Sequence, residues 1–123
     1  MKKILVVEDS STIRLFIKMF LRSLHDVSIT EATDGLDGLE KLGKESFDLV
    51  ITDVNMPRLD GLQLIERIRG SLGLKMPIII LTTRGEKENV DRGISLGANN
   101  YVTKPIVGPT LTNLVMNYIQ VAA

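Results

Sequence analysis

Four short apolar runs in this chain of 123 residues end in side chains able to do chemistry. Ile4–Val7 runs into Glu8 and Asp9. Phe47–Ile51 leads through Thr52 to Asp53. Ile78–Leu81 is followed by Thr82 and Thr83, and Tyr101-Val102 leads to Lys104 and Pro105. Runs of this kind read as strands buried on both faces, and in open α/β sheets ligands gather beyond the carboxyl ends of the strands. If the first and third strands are neighbours, these side chains converge on one site. Three carboxylates in one pocket repel each other, and at least one has its pKa pushed up unless a cation joins them. Oxygen donors suit a hard divalent ion such as Mg²⁺, which pairs with phosphate oxygens while keeping several waters. Lys104 adds a mobile point charge for a phosphoryl group, and Thr82 adds a hydroxyl donor. The set fits phosphoryl transfer to a carboxylate nucleophile, a reaction catalysed mostly by positioning and charge neutralisation.

The elements that must hold these residues follow from the periodicity between the runs. A further apolar run, Val27–Ile29, makes five strands in all. Ile13, Phe16, Ile17 and Phe20 keep helical spacing, as do Leu111, Leu114, Val115 and Tyr118, and Leu62, Ile65 and Ile68 approximately so. Leu36, Leu39 and Leu42 mark a shorter helix weakened by Gly35, Gly38 and Gly43, and Val90, Ile94 and Leu96 mark another. Ser10 or Ser11, Asp34 and Asp60 stand where N-caps are needed, with Gln63 completing an Asp-x-x-Gln arrangement. Pro109 suits the first turn of the last helix, and Gly73 and Gly97 suit helix ends. The order is βα repeated five times. The gaps are long enough for helical crossovers, so the strands should be parallel with helices on both faces.

Composition narrows the function classes. Lys+Arg and Asp+Glu are 15 each, so the formal net charge is zero, which argues against a nucleic-acid partner. Hydrophobic residues at 44% and charged residues at 24% are those of a folded domain. There are no cysteines, which excludes disulfides, zinc–thiolate sites and thiol nucleophiles. Met1-Lys2-Lys3 opens like a signal peptide, but the apolar run stops after four residues at Glu8-Asp9, too short for a signal core or a membrane span. The expectation is one domain over residues 1–123 in the cytoplasm, with no fused output domain and no membrane contact.

The residues that carry the chemistry also resemble a known family. Val7-Glu8-Asp9-Ser10, Asp53-Val54-Asn55-Met56-Pro57 with Asp60-Gly61, Leu81-Thr82, and Gly97-Ala98 leading to Tyr101-Val102-Thr103-Lys104-Pro105 are similar, in this order, to the response regulator receiver domain of two-component signalling, and specifically to its single-domain chemotaxis type. The resemblance spans residues 2–120. It implies a flavodoxin-like fold with strand order 2-1-3-4-5. It implies Asp53 as phosphoacceptor, with Glu8, Asp9, Asp53 and the backbone carbonyl of Asn55 holding Mg²⁺. Thr82 and Lys104 would contact the phosphoryl group, Lys104–Pro105 would be cis, and Tyr101 would be the aromatic switch residue. It implies a histidine kinase as donor and a target protein reading the fourth helix, fifth strand and fifth helix. Lys87, Val90, Ile94, Tyr101, Thr103 and Val107 are the candidate contacts there. The protein would be a phosphoacceptor rather than an enzyme, acting as a monomer or weak dimer.

Some positions depart from the family pattern. Thr83 stands where Ala or Gly is usual, and Arg84 occupies a position that, with Asn55, tunes phosphate lifetime in the family. Gly38 replaces a common Ala, which should loosen its helix. Two other readings share the same residues: a phosphorelay intermediate that hands its phosphate to another histidine, and a pseudo-receiver that works without phosphorylation. A haloacid-dehalogenase type of phosphohydrolase wants Asp-x-Asp, but Asp53-Val54-Asn55 lacks the second acid. No Walker loop or Gly-x-Gly-x-x-Gly is present. His25, the single histidine, reads as a surface residue, and Arg58 beside Pro57 reads as solvated.

Overall fold

A computed structural model describes residues 1–120. The strands are β1 (Lys2–Val7), β2 (Val27–Ala32), β3 (Leu49–Asp53), β4 (Ile78–Thr82) and β5 (Asn100–Thr103). They alternate with α1 (Ser11–Leu21), α2 (Gly35–Lys44), α3 (Gly61–Arg69), α4 (Lys87–Leu96) and α5 (Gly108–Ile119). All strand pairs are parallel, in the order β2-β1-β3-β4-β5, which is the order the resemblance implies.

The apolar runs are continuous because the sheet is covered on both faces. Leu5, Val7, Val50, Ile78 and Ile80 point into one core with Leu64, Ile65 and Ile68 of α3 and Leu42 of α2. Their neighbours Ile4, Val6, Leu49, Ile51, Ile79 and Leu81 point into the other, with Ile17 and Leu21 of α1 and Leu111, Val115 and Ile119 of α5. Successive residues of a strand face opposite ways, so a strand between two helix layers has no polar side. The caps fall where the sequence places them. Ser10 accepts from Ile13 N (3.2 Å), Asp34 from Asp37 N (2.8 Å), and Asp60 and Gln63 exchange bonds of 2.9 and 3.0 Å in a capping box.

Three local expectations are corrected. The third strand starts at Leu49, and Phe47 is buried in the turn before it. The third helix ends at Gly70, so Gly73 sits with positive φ in the following loop. On α2 the buried positions are Gly35, Gly38 and Leu42, while Leu36 is exposed. On α4, by contrast, Ile94 faces out as a candidate contact should, and the single buried residue is Gly93. A Cβ at Gly93 would sit 2.3 Å from Ile80 Cδ1. This helix lies so close to the sheet that a bare backbone faces it, while Ile94 is exposed, Val90 is half-buried and Leu96 packs against the core from the end of the helix. Among the described residues no helix is long and apolar enough to cross a membrane.

Candidate phosphoryl-acceptor site

Register brings the four strand ends together. Val7 pairs with Thr52 and Asp53 with Leu81, so Glu8, Asp53 and Thr82 leave adjacent strands at nearly the same level. Thr82 pairs with Thr103, and the Lys104 N–H donates to Thr82 O at 2.6 Å, which extends the β4–β5 pairing by one residue. Lys104–Pro105 is cis. Asp53 is held from below by α3: Gly61 N donates to Val54 O at 3.0 Å, and a Cβ at Gly61 would lie 2.0 Å from the Asp53 carbonyl oxygen. Only glycine lets the helix start this close to the acid.

The Glu8 side chain is 1% exposed and that of Lys104 18%. Lys104 Nζ donates to Glu8 Oε1 at 2.8 Å and to Asp53 Oδ2 at 3.2 Å. Glu8 Oε2 also accepts from Ser10 N at 3.0 Å, so the residue beginning α1 helps fix the acid. Asp9 is exposed, and one carboxylate oxygen from each of Glu8, Asp9 and Asp53 lies within 4.8 Å of the others. Burial pushes the carboxyl groups of Glu8 and Asp53 above their usual range, against the pull of Lys104. Burial works against the Lys104 ammonium as well, but its hydrogen bond to Glu8 and the charge of both acids outweigh that and hold its pKa up. One amine therefore faces three carboxylates, a deficit of positive charge that a divalent cation would make good.

Thr82 is buried, with its hydroxyl donating to Thr83 O at 3.3 Å. Tyr101 is 47% exposed and turned outward. Between them an open groove of about 320 Å³ is lined by Thr82, Thr83, Lys87, Val90, Tyr101 and Thr103. Val90 is half-buried and Ile94 and Val107 are exposed, which leaves an apolar stripe on α4, β5 and the start of α5.

A sequence model of the response regulator receiver domain matches residues 4–116. The chain belongs to that family. It is 40% identical over 110 residues to chemotaxis protein CheY-3 of Vibrio cholerae, covering 89% of this chain and 85% of the relative. A CheY homolog of Campylobacter jejuni is 40% identical over 111 residues, with the same coverage. Among solved structures, a putative response regulator from Chloroflexus aurantiacus matches with a TM-score of 0.89 and 30% identity, covering 97% of this chain and 98% of that one. Vibrio cholerae CheY4 matches at 0.86 and 33%, covering 96% and 98%. The protein is thus a receiver domain of CheY-type response regulators, in two-component signalling with chemotaxis relatives.

Three side chains around this receiver site had no sequence signal strong enough to single them out for it. Arg14 Nη1 donates to the Glu8 carbonyl at 2.6 Å while its Nε pairs with Glu31 at 3.0 Å, so α1 grips the backbone of the first acid. Arg58 is not free in solvent: its guanidinium makes a two-point contact with Asp34 at 2.6 and 2.9 Å, tying the β3–α3 loop to the cap of α2. Glu86 spans the opposite lip of the site. Its Oε2 accepts from Asn55 Nδ2 at 2.8 Å and Asn89 Nδ2 at 3.2 Å, and its Oε1 from Thr83 N at 3.2 Å and from the Thr83 hydroxyl. Asn55 and Thr83 are thereby brought together, whereas exposed Arg84 has no hydrogen-bond or ion-pair partner among the described residues. The Thr83-x-x-Glu86-x-x-Asn89 spacing was a usable hint, because a turn running into a helix brings such residues to one side.

Proposed function

We propose that Asp53 accepts a phosphoryl group from the phosphohistidine of a partner kinase, and that the protein passes this state to a target through its α4, β5 and α5 face. The observation that carries the reading is Lys104, bonded at once to Glu8 and Asp53 beside a third carboxylate on the carboxyl ends of neighbouring strands. An Asp53 oxygen attacks phosphorus in line. The O–P bond forms, the N–P bond to the imidazole breaks, and the histidine nitrogen leaves with the electron pair and takes up a proton. Lys104 stands beside the attacking carboxylate, where it balances the phosphoryl charge. Thr82 gives up Thr83 O and donates to a phosphoryl oxygen. Glu8, Asp9 and Asp53, with the Asn55 carbonyl, would hold Mg²⁺; the three-acid donor set and its unbalanced charge fit that ion. When bound, the ion would supply charge neutralisation at the phosphoryl oxygens.

The aspartyl phosphate biases a two-state equilibrium. Thr82 lies on β4, paired with Thr103 of β5, and Lys104 leaves β5, so one phosphate-contacting residue neighbours the strand that carries Tyr101 and the other follows it directly. Tyr101 is the switch residue, and Lys87, Val90, Ile94, Thr103 and Val107 form the surrounding contact surface. Water later hydrolyses the acyl phosphate, so the protein assists its own turnover without acting on a separate substrate. A chemotaxis-type pathway fits the 40% identity to the two CheY proteins, and a cytosolic setting goes with a kinase charged from ATP.

The test is intact mass after incubation with acetyl phosphate, with and without Mg²⁺, for wild type and Asp53→Asn. One phosphoryl group that needs both the ion and Asp53 is the expected result. Wild type that stays unmodified while folded and supplied with Mg²⁺ would return the weight to a receiver working without phosphorylation.

A further inference from the structure

We propose that Glu86 is a positioning residue, a latch that ties Asn55 to Thr83 across the lip of the acceptor site and holds the protein in its unphosphorylated arrangement. The inference rests on Asp53 being the phosphoacceptor, but on a different observation. Glu86 begins α4 without capping it: the side chain makes no bond to the helix's first N–H groups. Its two oxygens are spent on Asn55 from the β3–α3 loop, on the backbone and hydroxyl of Thr83 from the β4–α4 loop, and on Asn89 one turn into the helix. One carboxylate thus bridges two loops, reaching Asn55 31 residues before it in sequence and Thr83 three before it. These contacts hold its pKa below the usual range, the Thr83 hydroxyl foremost, so it stays charged at neutral pH.

Each end of the bridge is coupled to a residue of the reaction. Asn55 follows Asp53 by two positions, with its N–H 3.5 Å from Asp53 Oδ1. Thr83 is the residue whose carbonyl occupies the Thr82 hydroxyl. For Thr82 to reach a phosphoryl oxygen it must release Thr83 O, and any turn of the Thr83 backbone that goes with this step works against the bonds that Glu86 makes to Thr83. The latch also places a negative charge on the lip that an anionic phosphoryl donor must pass, where like charges repel. A contact that exists in the resting state and must be given up in the loaded one weights the equilibrium towards rest.

The experiment measures the rate of phosphorylation by acetyl phosphate at saturating Mg²⁺, for wild type, Glu86→Ala, Asn55→Ala and the double variant, with Glu88→Ala as control. Glu88 is exposed in the same first turn of α4. Its replacement removes the same charge without touching either loop. Loss of partly exposed hydrogen bonds to a charged group should speed phosphorylation by about three- to tenfold in Glu86→Ala. Glu88→Ala should leave the rate within about twofold of wild type. If the latch acts through Asn55, removing Glu86 has little further effect once Asn55 is Ala, so the two effects fail to multiply. An unchanged or slower rate in Glu86→Ala, an equal effect of Glu88→Ala, or two effects that multiply independently would overturn the latch while leaving Asp53 as acceptor. Absence of phosphorylation in wild type would overturn the acceptor reading, and the latch with it.

Discussion

Replacing Lys104 by Met keeps the length and volume of the stem and removes only the charge at its tip. In metal-free buffer this leaves Glu8, which is 1% exposed, and buried Asp53 with no cation between them. The cost has a ceiling, because the pair can relieve itself by taking up one proton. At pH 7 the ordinary glutamate value of 4.5 lies about 2.5 pH units away, and at about 1.36 kcal/mol per unit the penalty stops near 3.4 kcal/mol. The sign with pH follows from the same step. An acid whose pKa is raised on folding binds more protons in the native state, so stability rises as pH falls. The deficit of Lys104→Met relative to wild type should therefore shrink by up to about 1.4 kcal/mol per pH unit between pH 7 and pH 5. Wild type carries the opposite limit at alkaline pH. The Lys104 pKa is raised, so its contribution is complete below the unfolded value, about 10.4, and fades as pH rises through the folded one. Urea denaturation with EDTA at half-unit pH steps measures both arms. A deficit under about 1 kcal/mol at pH 7, or one that does not shrink towards pH 5, would refute the idea that this lysine offsets two buried acids.

Asp53→Asn lowers the excess of negative charge, so it should raise metal-free stability by about 1 kcal/mol, and Mg²⁺ should raise the melting temperature of wild type but not of this variant. An equal Mg²⁺ response in both proteins would place the ion elsewhere. Gly61→Ala puts a Cβ 2.0 Å from the Asp53 carbonyl oxygen and should cost about 3 kcal/mol in urea unfolding while slowing phosphoryl uptake; a loss under about 1 kcal/mol would mean the α3 start can back away from the acid. Glu31 is held below its usual range by Lys18 first and Arg14 after it. Its contribution is therefore complete above the unfolded value, about 4.3, and lost as pH falls through the folded one. Glu31→Gln should cost about 0.5–1 kcal/mol at pH 7, and the gap to wild type should close between pH 5 and pH 3; a gap constant over that range would assign the effect to packing.

How much of this the sequence could show depends on whether a residue's address or its partner is being asked for. The ends of β1, β3 and β4 could be read because an Ile/Val run has one obvious stop, and a parallel sheet sends every stop to the same edge. Glu8, Asp53 and Thr82 were placed by that rule alone, and the structure aligns them through the pairs Val7–Thr52 and Asp53–Leu81. Caps could be read for the same reason: Ser10, Asp34 and Asp60 bond to backbone three residues away. Strand order could not, because each crossover leaves two directions open on the sheet, and here the likeness to a family supplied it. The face of α2 misled at Leu36, which is exposed while Gly35 and Gly38 are buried, because a hydrophobic row marks the core only where the core position has room for a side chain. At Gly35 a Cβ would lie 2.2 Å from the Leu59 carbonyl oxygen, and at Gly93 2.3 Å from Ile80 Cδ1, so bare backbone lies against these neighbours while Leu36 and Ile94 face out. Glu86 and Arg58 went unseen for a further reason. Their partners Asn55 and Asp34 lie 31 and 24 residues away, across loops with no period, and a charged residue in a loop has by itself no preferred answer to what it touches. The candidate acceptor residues sit at strand ends and could be located from one dimension. The bonds of Glu86 and Arg58 run between loops around these residues, and their partners are what only three dimensions reveal.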